Sequence, residues 1–142
     1  MVYDLAVSVY GKGILAPSHW SIAIYQPGHV YGDLFQVKLL DPTTGRFLHD
    51  HRSAALFVSQ SSEGRCTVAM LTNEQRVRVI DVLQSEPAPV GRGNCQDWCV
   101  NALIALEAEE LVPPGTSSLW SSLVGKPALD LEVAVGQAWQ GA

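Results

Sequence analysis

Charge is scarce in this chain, basic charge most of all, and no apolar run is long. Only 16% of the 142 residues are charged, with 9 basic side chains against 14 acidic ones and a net charge of -5. No Lys/Arg cluster forms a stripe able to neutralise a phosphate backbone, so nucleic acid is not an expected partner. No uninterrupted apolar stretch approaches the roughly 18–20 residues that span a bilayer, so no transmembrane anchor is expected. Met1 leads into the strand-like Val2–Tyr10 without a basic segment, the pattern of a chain made without a cleaved secretion signal. Cysteine is rare: Cys66, Cys95 and Cys99 are an odd number, and the last two lie four apart in one helical stretch. That spacing argues against a disulfide framework and for a reducing, cytoplasmic compartment. Repeats and low-complexity tracts are missing too. What is present is 47% apolar content, enough at this length for one core and one domain over residues 1–142.

Strand signals come first and helix signals later, an α+β order in which an antiparallel sheet packs against helices. Asp4–Tyr10 alternates apolar and polar residues and is broken by Gly11-Lys12-Gly13. His19–Tyr25 and Asp33–Leu40 are joined by a turn on Gln26-Pro27-Gly28. Asp41-Pro42-Thr43-Thr44-Gly45 is a strong turn signal, since Pro and Gly set the backbone and Asp and Thr offer it side-chain hydrogen bonds. Arg46–Leu48, Ala55–Gln60 and Cys66–Leu71 complete the expected sheet, with Ser61–Gly64 as a hairpin loop. Thr72 with Gln75 forms a capping box, and Val77, Ile80, Val82 and Leu83 give the helix behind it its apolar face. Pro87 and Pro89 end that helix. The loop from Pro87 to Gly93 delivers the chain to Asn94, an N-cap that places Cys95 at the first helical position. Cys99, Ala102, Leu103 and Leu106 then recur at helical spacing until Pro113-Pro114-Gly115. Thr116–Ala142 reads as short helices around Trp120 and around Leu131–Trp139.

A cysteine at a helix start meets unpaired N–H groups and the positive end of the macrodipole, which favour the thiolate. The same N–H groups can hold an oxyanion formed by attack on a carbonyl. The alternative for Cys95 is a small buried hydrophobe. His19 opens a strand whose Trp20, Ile22 and Ile24 share one face, which puts the imidazole on the other. Alone, a strand-end histidine is more often a packing or surface residue; joined to Cys95 it becomes a candidate general base. Trp20 and Trp98 flank the two candidates as core packing or as substrate contacts. Asn94 and Asp97 are capping residues that also stand on the substrate side of Cys95. His49-Asp50-His51 offers two metal ligands where a site needs three or four, so a solvated loop and no metal are expected.

His19-Trp20 ahead of an apolar strand ending in Tyr25, followed much later by Asn94-Cys95-Gln96-Asp97-Trp98-Cys99, resembles the circularly permuted papain-like (NlpC-type) cysteine hydrolases. The blocks are similar to His-Trp-Ala and Asn-Cys-Glu-His-Phe-Val of the lecithin retinol acyltransferase and HRAS-like suppressor group. They also resemble a set of small fungal proteins with His-Trp and Asn-Cys-Gln-Asp-Trp. The likeness covers two blocks of about eight residues and is loose elsewhere.

The resemblance implies a permuted papain-like fold and a thiol hydrolase or acyltransferase that needs no cofactor. Cys95 would attack an ester, thioester or amide carbonyl with His19 as base, and the acyl group would pass to water or another acceptor. The family places a second histidine on the strand after His19; here the residues at hand are Gln36 and His29. A hairpin centred between Pro27 and Gly28 sets His19 opposite Gln36, which favours Gln36, with His29 second. The expected partner is a small-molecule or acyl substrate, and the fungal set implies a tailoring step such as condensation or cyclisation. A catalytically silent module using the same cleft for binding is the other reading, since a glutamine brings no charge to an imidazolium.

Overall fold

The computed structural model describes residues 1–11, 18–89 and 93–142. The expected break at Lys12-Gly13 and the loop positions Val90, Gly91 and Arg92 lie outside the described residues.

Two strands buried on both faces form the centre of the sheet. β1 (Tyr3–Tyr10) and β2 (His19–Tyr25) pair antiparallel with Val7 opposite Ile22. Leu5, Val7, Val9, Trp20, Ile22 and Ile24 all point into the main core, while Ala6 and Ala23 face a smaller cluster with Tyr25, Leu34 and Phe57. β3 (Tyr31–Asp41) lies beside β2, β4 (Arg46–Leu56) is the far edge, and β5 (Ser62–Leu71) pairs with the other side of β1. A short β6 (Trp139–Gly141) completes a six-stranded antiparallel sheet in the order β4-β3-β2-β1-β5-β6. The helices α1 (Asn73–Ser85), α2 (Cys95–Ala108), α3 (Thr116–Leu123) and α4 (Ala128–Val135) make the fold mixed α and β. α2 supplies Trp98, Cys99, Ala102, Leu103 and Leu106 to the main core, where T-shaped packing of Trp20 on Trp120 joins β2 to α3. Among the described residues no helix is long and apolar enough to cross a membrane.

Four expectations are corrected. Arg46–Leu48 and the start of Ala55–Gln60 belong to one strand, β4, and His49-Asp50-His51 lies inside it rather than in a loop. An edge strand wetted on both faces shows no apolar alternation, so its polar centre mimics a break. A bulge opposite β3, with Ala54 at φ 50°, then bends it. Ser62–Gly64 belongs to β5 because Val9 and Tyr10 pair with Gly64 and Ser62; the loop is Phe57–Ser61. Trp139 leaves helical structure to pack on Gly64, where a Cβ would meet the indole at 2.2 Å. The buried face of α1 is Val79 and Leu83, one turn apart, while Val77 is exposed.

The capping box on α1 is complete: Gln75 N–H donates to Thr72 Oγ1 at 3.2 Å and Thr72 N–H donates to Gln75 Oε1 at 2.9 Å. Thr72→Ala is expected to destabilise the protein by about 1 kcal/mol. The effect should read as a lower urea midpoint with an unchanged slope.

Candidate active site

Cys95 owes its position to a second capping box. Asn94 Oδ1 accepts from the backbone N–H groups of Gln96 and Asp97 at 2.9 and 3.3 Å, and Asp97 Oδ2 accepts from Asn94 N–H at 2.8 Å. Asn94 is extended, so α2 starts abruptly at Cys95, and the box spares the Cys95 N–H itself. Asn94 and Asp97 are thereby engaged in shaping the helix start, and both remain partly exposed beside Cys95. The other two substrate-side candidates, Trp20 and Trp98, are corrected: at 0% and 1% exposed they pack in the main core and do not line the cleft in front of Cys95. Trp98 Nε1–H donates to the Glu86 carbonyl at 3.3 Å and so ties α2 to the end of α1.

His19 is brought to Cys95 by the helix's second residue. Gln96, fully buried, donates from Nε2 to the Ser18 carbonyl at 2.8 Å and accepts at Oε1 from Gly125 N–H at 2.8 Å. The start of β2, the start of α2 and the connection between α3 and α4 therefore meet on one side chain. The β2–β3 ladder runs only from Ile24–Asp33 to Ile22–Phe35, so these strands part before His19. There the His19 ring and the backbone N–H groups of Trp20 and Gln96 stand near enough to Cys95 to lower the pKa of its thiol.

Gln36 reaches the far side of the ring, with Oε1 2.7 Å from His19 Nε2. That leaves Nδ1 for Cys95. The strand register differs from the one expected: β2 and β3 pair with Ile22 opposite Phe35, which aligns Ser21 rather than His19 with Gln36. A shift of two residues keeps every side chain on its face, so Gln36 still reaches His19 as a diagonal neighbour. His29 is excluded from this site. It is exposed in the turn between β2 and β3, at the opposite end of β2 from His19, with its N–H on the Gln26 carbonyl.

Asp50 is the residue that reading the sequence missed. It lies directly across from Gln36 in the β3–β4 register, and its Oδ2 accepts from Gln36 Nε2 at 2.9 Å. Arg52 at 2.8 Å and Lys38 at 3.3 Å hold the carboxylate from outside. The turn at Asp41–Gly45 was the available signal, since it fixes which β4 residue faces Gln36. His49 and His51 flank Asp50 on the opposite face of β4, His51 stacked on Phe35 and His49 on the Glu86 carbonyl. Among the described residues no group of three or more His, Cys, Asp or Glu could hold a metal ion.

Electrostatics couple the pair. Burial acts to raise the Cys95 pKa, but the hydrogen bond and charge of His19, with the two backbone N–H groups, outweigh it and the thiol titrates below its ordinary value. Burial acts to lower the His19 pKa, but the hydrogen bond and charge of Cys95, then Gln36 and the Asp50 charge, raise it above its ordinary value. Opposed shifts of two hydrogen-bonded groups favour thiolate and imidazolium together. The other cysteines are different: burial pushes the Cys66 thiol up to about 11 and drives that of the fully buried Cys99 well above its ordinary value. Neither is a reactive thiol, and Cys99 is a core residue.

Cys95 and His19 open into a cleft of about 490 Å³ walled by Tyr10, Leu34, Phe47 and Leu56, with Lys38 and Arg52 also lining it. A thiol at the head of a helix, a ring nitrogen to take its proton and open space in front of both constitute the parts of a nucleophilic centre.

A model of a family of unknown function (DUF6540) matches residues 5–113. No curated protein and no solved structure matches the chain. The matched span includes His19, Gln36, Asp50 and Cys95; α3, α4 and β6 lie beyond it.

Proposed function

We propose that this chain, which belongs to the DUF6540 family, is a cysteine-dependent hydrolase or acyltransferase acting on an ester, thioester or amide. The observation that carries the reading is that Cys95, His19 and Gln36 line one open cleft, with Gln36 hydrogen-bonded to His19 and the charges of Cys95 and His19 coupled. The Cys95 thiolate attacks the carbonyl carbon, and the carbonyl oxygen takes the displaced electron pair. The N–H of Cys95, left free by the capping box, is placed to donate to that oxyanion. As the tetrahedral species collapses, His19 gives its Nδ1 proton to the leaving oxygen, sulfur or nitrogen. The acyl-enzyme then passes its acyl group to water or another acceptor, whose proton His19 takes.

The fold that goes with this reading is the permuted papain-like one. The histidine strand precedes the cysteine helix in sequence, and an antiparallel sheet lies against that helix. A cytoplasmic, metal-free enzyme acting on a small molecule or acyl donor fits the same reading, and the likeness to the small fungal set extends it to condensation or cyclisation.

The test is direct trapping. Incubation with a panel of p-nitrophenyl esters, acyl thioesters and anilides should add the mass of one acyl group to Cys95, and Cys95→Ala should remove the adduct. A chain that reacts with iodoacetamide at Cys95 but forms no acyl adduct with any of the panel, and releases no product, would be a binding module.

A further inference from the structure

We infer that Asp50 selects the tautomer of His19 by fixing which way the Gln36 amide points, and is therefore a positioning residue for proton transfer at Cys95. This rests on the reading of His19 as base, but the chain of constraint is geometric. An ionised carboxylate only accepts hydrogen bonds, so the end of Gln36 that faces Asp50 must be its amino group. That contact is Gln36 Nε2 to Asp50 Oδ2 at 2.9 Å. The amide oxygen is then the end that faces His19, 2.7 Å from Nε2. An amide oxygen also only accepts, so His19 Nε2 carries the hydrogen. The neutral ring is left with its lone pair on Nδ1, the nitrogen that Gln36 does not engage and the one left to serve Cys95 as base. With the amide reversed, every sign inverts: Nε2 would accept, Nδ1 would carry the hydrogen and the ring could not take the thiol proton.

The selector is well held. Gln36 and Asp50 are direct cross-strand partners, and Asp50 is clamped by Arg52 through Nε and Nη2 and by Lys38. Burial acts to raise the Asp50 pKa, but hydrogen bonds from Arg52, Gln36 and Lys38 bring it down to about 2. It therefore remains a pure acceptor at any pH at which the Cys95–His19 pair works. Asp50 also answers the objection that a glutamine brings no charge to the imidazolium, because the carboxylate stands one amide away.

The experiment is nitrogen-15 NMR of the His19 ring in the full chain, in a Cys95→Ala background so that nothing on the Nδ1 side biases the proton, at a pH above the imidazole titration. Two-bond correlations from the ring C–H protons report which nitrogen is protonated. The expected result is the Nε2–H tautomer, with Nδ1–H signal appearing when Asp50→Asn is added, since an asparagine can donate as well as accept. Arg52→Gln removes a clamp without touching Gln36 and should leave the tautomer unchanged, as should Asp50→Glu, which keeps an acceptor-only group. An Nδ1–H ring in the Cys95→Ala protein, no change on Asp50→Asn, or an equal change on Arg52→Gln would each overturn the inference. The readout needs no activity, so an inert Cys95 would remove the enzyme reading and leave the tautomer result standing.

Discussion

Replacing His19 by alanine is expected to slow alkylation of Cys95 by iodoacetamide at pH 7 by about 10- to 100-fold. Only the thiolate reacts, and a thiol with its free pKa near 8.5 is a few per cent ionised at pH 7. In the intact protein the hydrogen bond and charge of His19 act to lower the Cys95 pKa, so more of the thiol is ionised at a given pH. Removing the ring takes away its hydrogen bond and charge but leaves the burial and the two backbone N–H groups, so the thiol pKa should rise. The lower intrinsic nucleophilicity of a low-pKa thiolate tempers the ratio. The pH dependence has a definite sign. Cys95 titrates lower and His19 higher than their ordinary values, so each shift extends the pH range in which the charged form of that group is present. Wild-type alkylation should therefore extend further to the acid side than alkylation of His19→Ala. Cys66 and Cys99, with thiols raised by burial, provide slow internal controls when the sites are followed by peptide mass. Equal rates at Cys95 in the two proteins would end the case for a His19-activated thiol.

The parts of this centre differ in how far they could be read in advance. Cys95 was legible because a capping residue, a helix start and core positions one turn apart are all local features. His19 was legible for the same reason, as the first residue of a strand with period two. Gln36 was reached through a register that is off by two. The choice survives because a two-residue slip never changes the face, and the turn from Gln26 to Val30 is longer than the one assumed. Asp50 was hidden by its surroundings. The run from Arg46 to Leu56 carries its information in cross-strand partners rather than in alternation, since an edge strand exposed on both sides buries almost nothing. Trp139 was read as helical because the groove over Gly64 that receives it exists only after β5 has paired with β1. Local grammar thus sets the candidate nucleophile and base, while the groups that orient them depend on pairings between distant segments.

Gln96 is the other such group, and Gln96→Leu is expected to destabilise the protein by roughly 2–6 kcal/mol. The glutamine is fully buried and makes two hydrogen bonds, to the Ser18 carbonyl and from Gly125 N–H. A leucine of similar volume fills the space but leaves both backbone groups without a partner, at about 1–3 kcal/mol each. The carbonyl belongs to the residue before His19, so its loss also frees the base from the helix that carries the nucleophile. Cys95 alkylation should fall along with stability, which separates this site from a core position distant from the chemistry. Gln96→Glu sharpens the point. A protonated carboxyl can still donate to the Ser18 carbonyl and accept from Gly125 N–H, whereas an ionised one can only accept and carries an unpaired charge into a dry site. Burial raises the pKa of the introduced carboxyl, so its contribution is present at low pH and lost as pH rises through that value. Urea titrations at pH 5 and pH 8 should show Gln96→Glu approaching wild type in acid and falling towards Gln96→Leu at the higher pH. A Gln96→Leu protein within about 0.5 kcal/mol of wild type, the range of an ordinary surface change, would mean that the two backbone groups find other partners and that β2 needs no tether to α2.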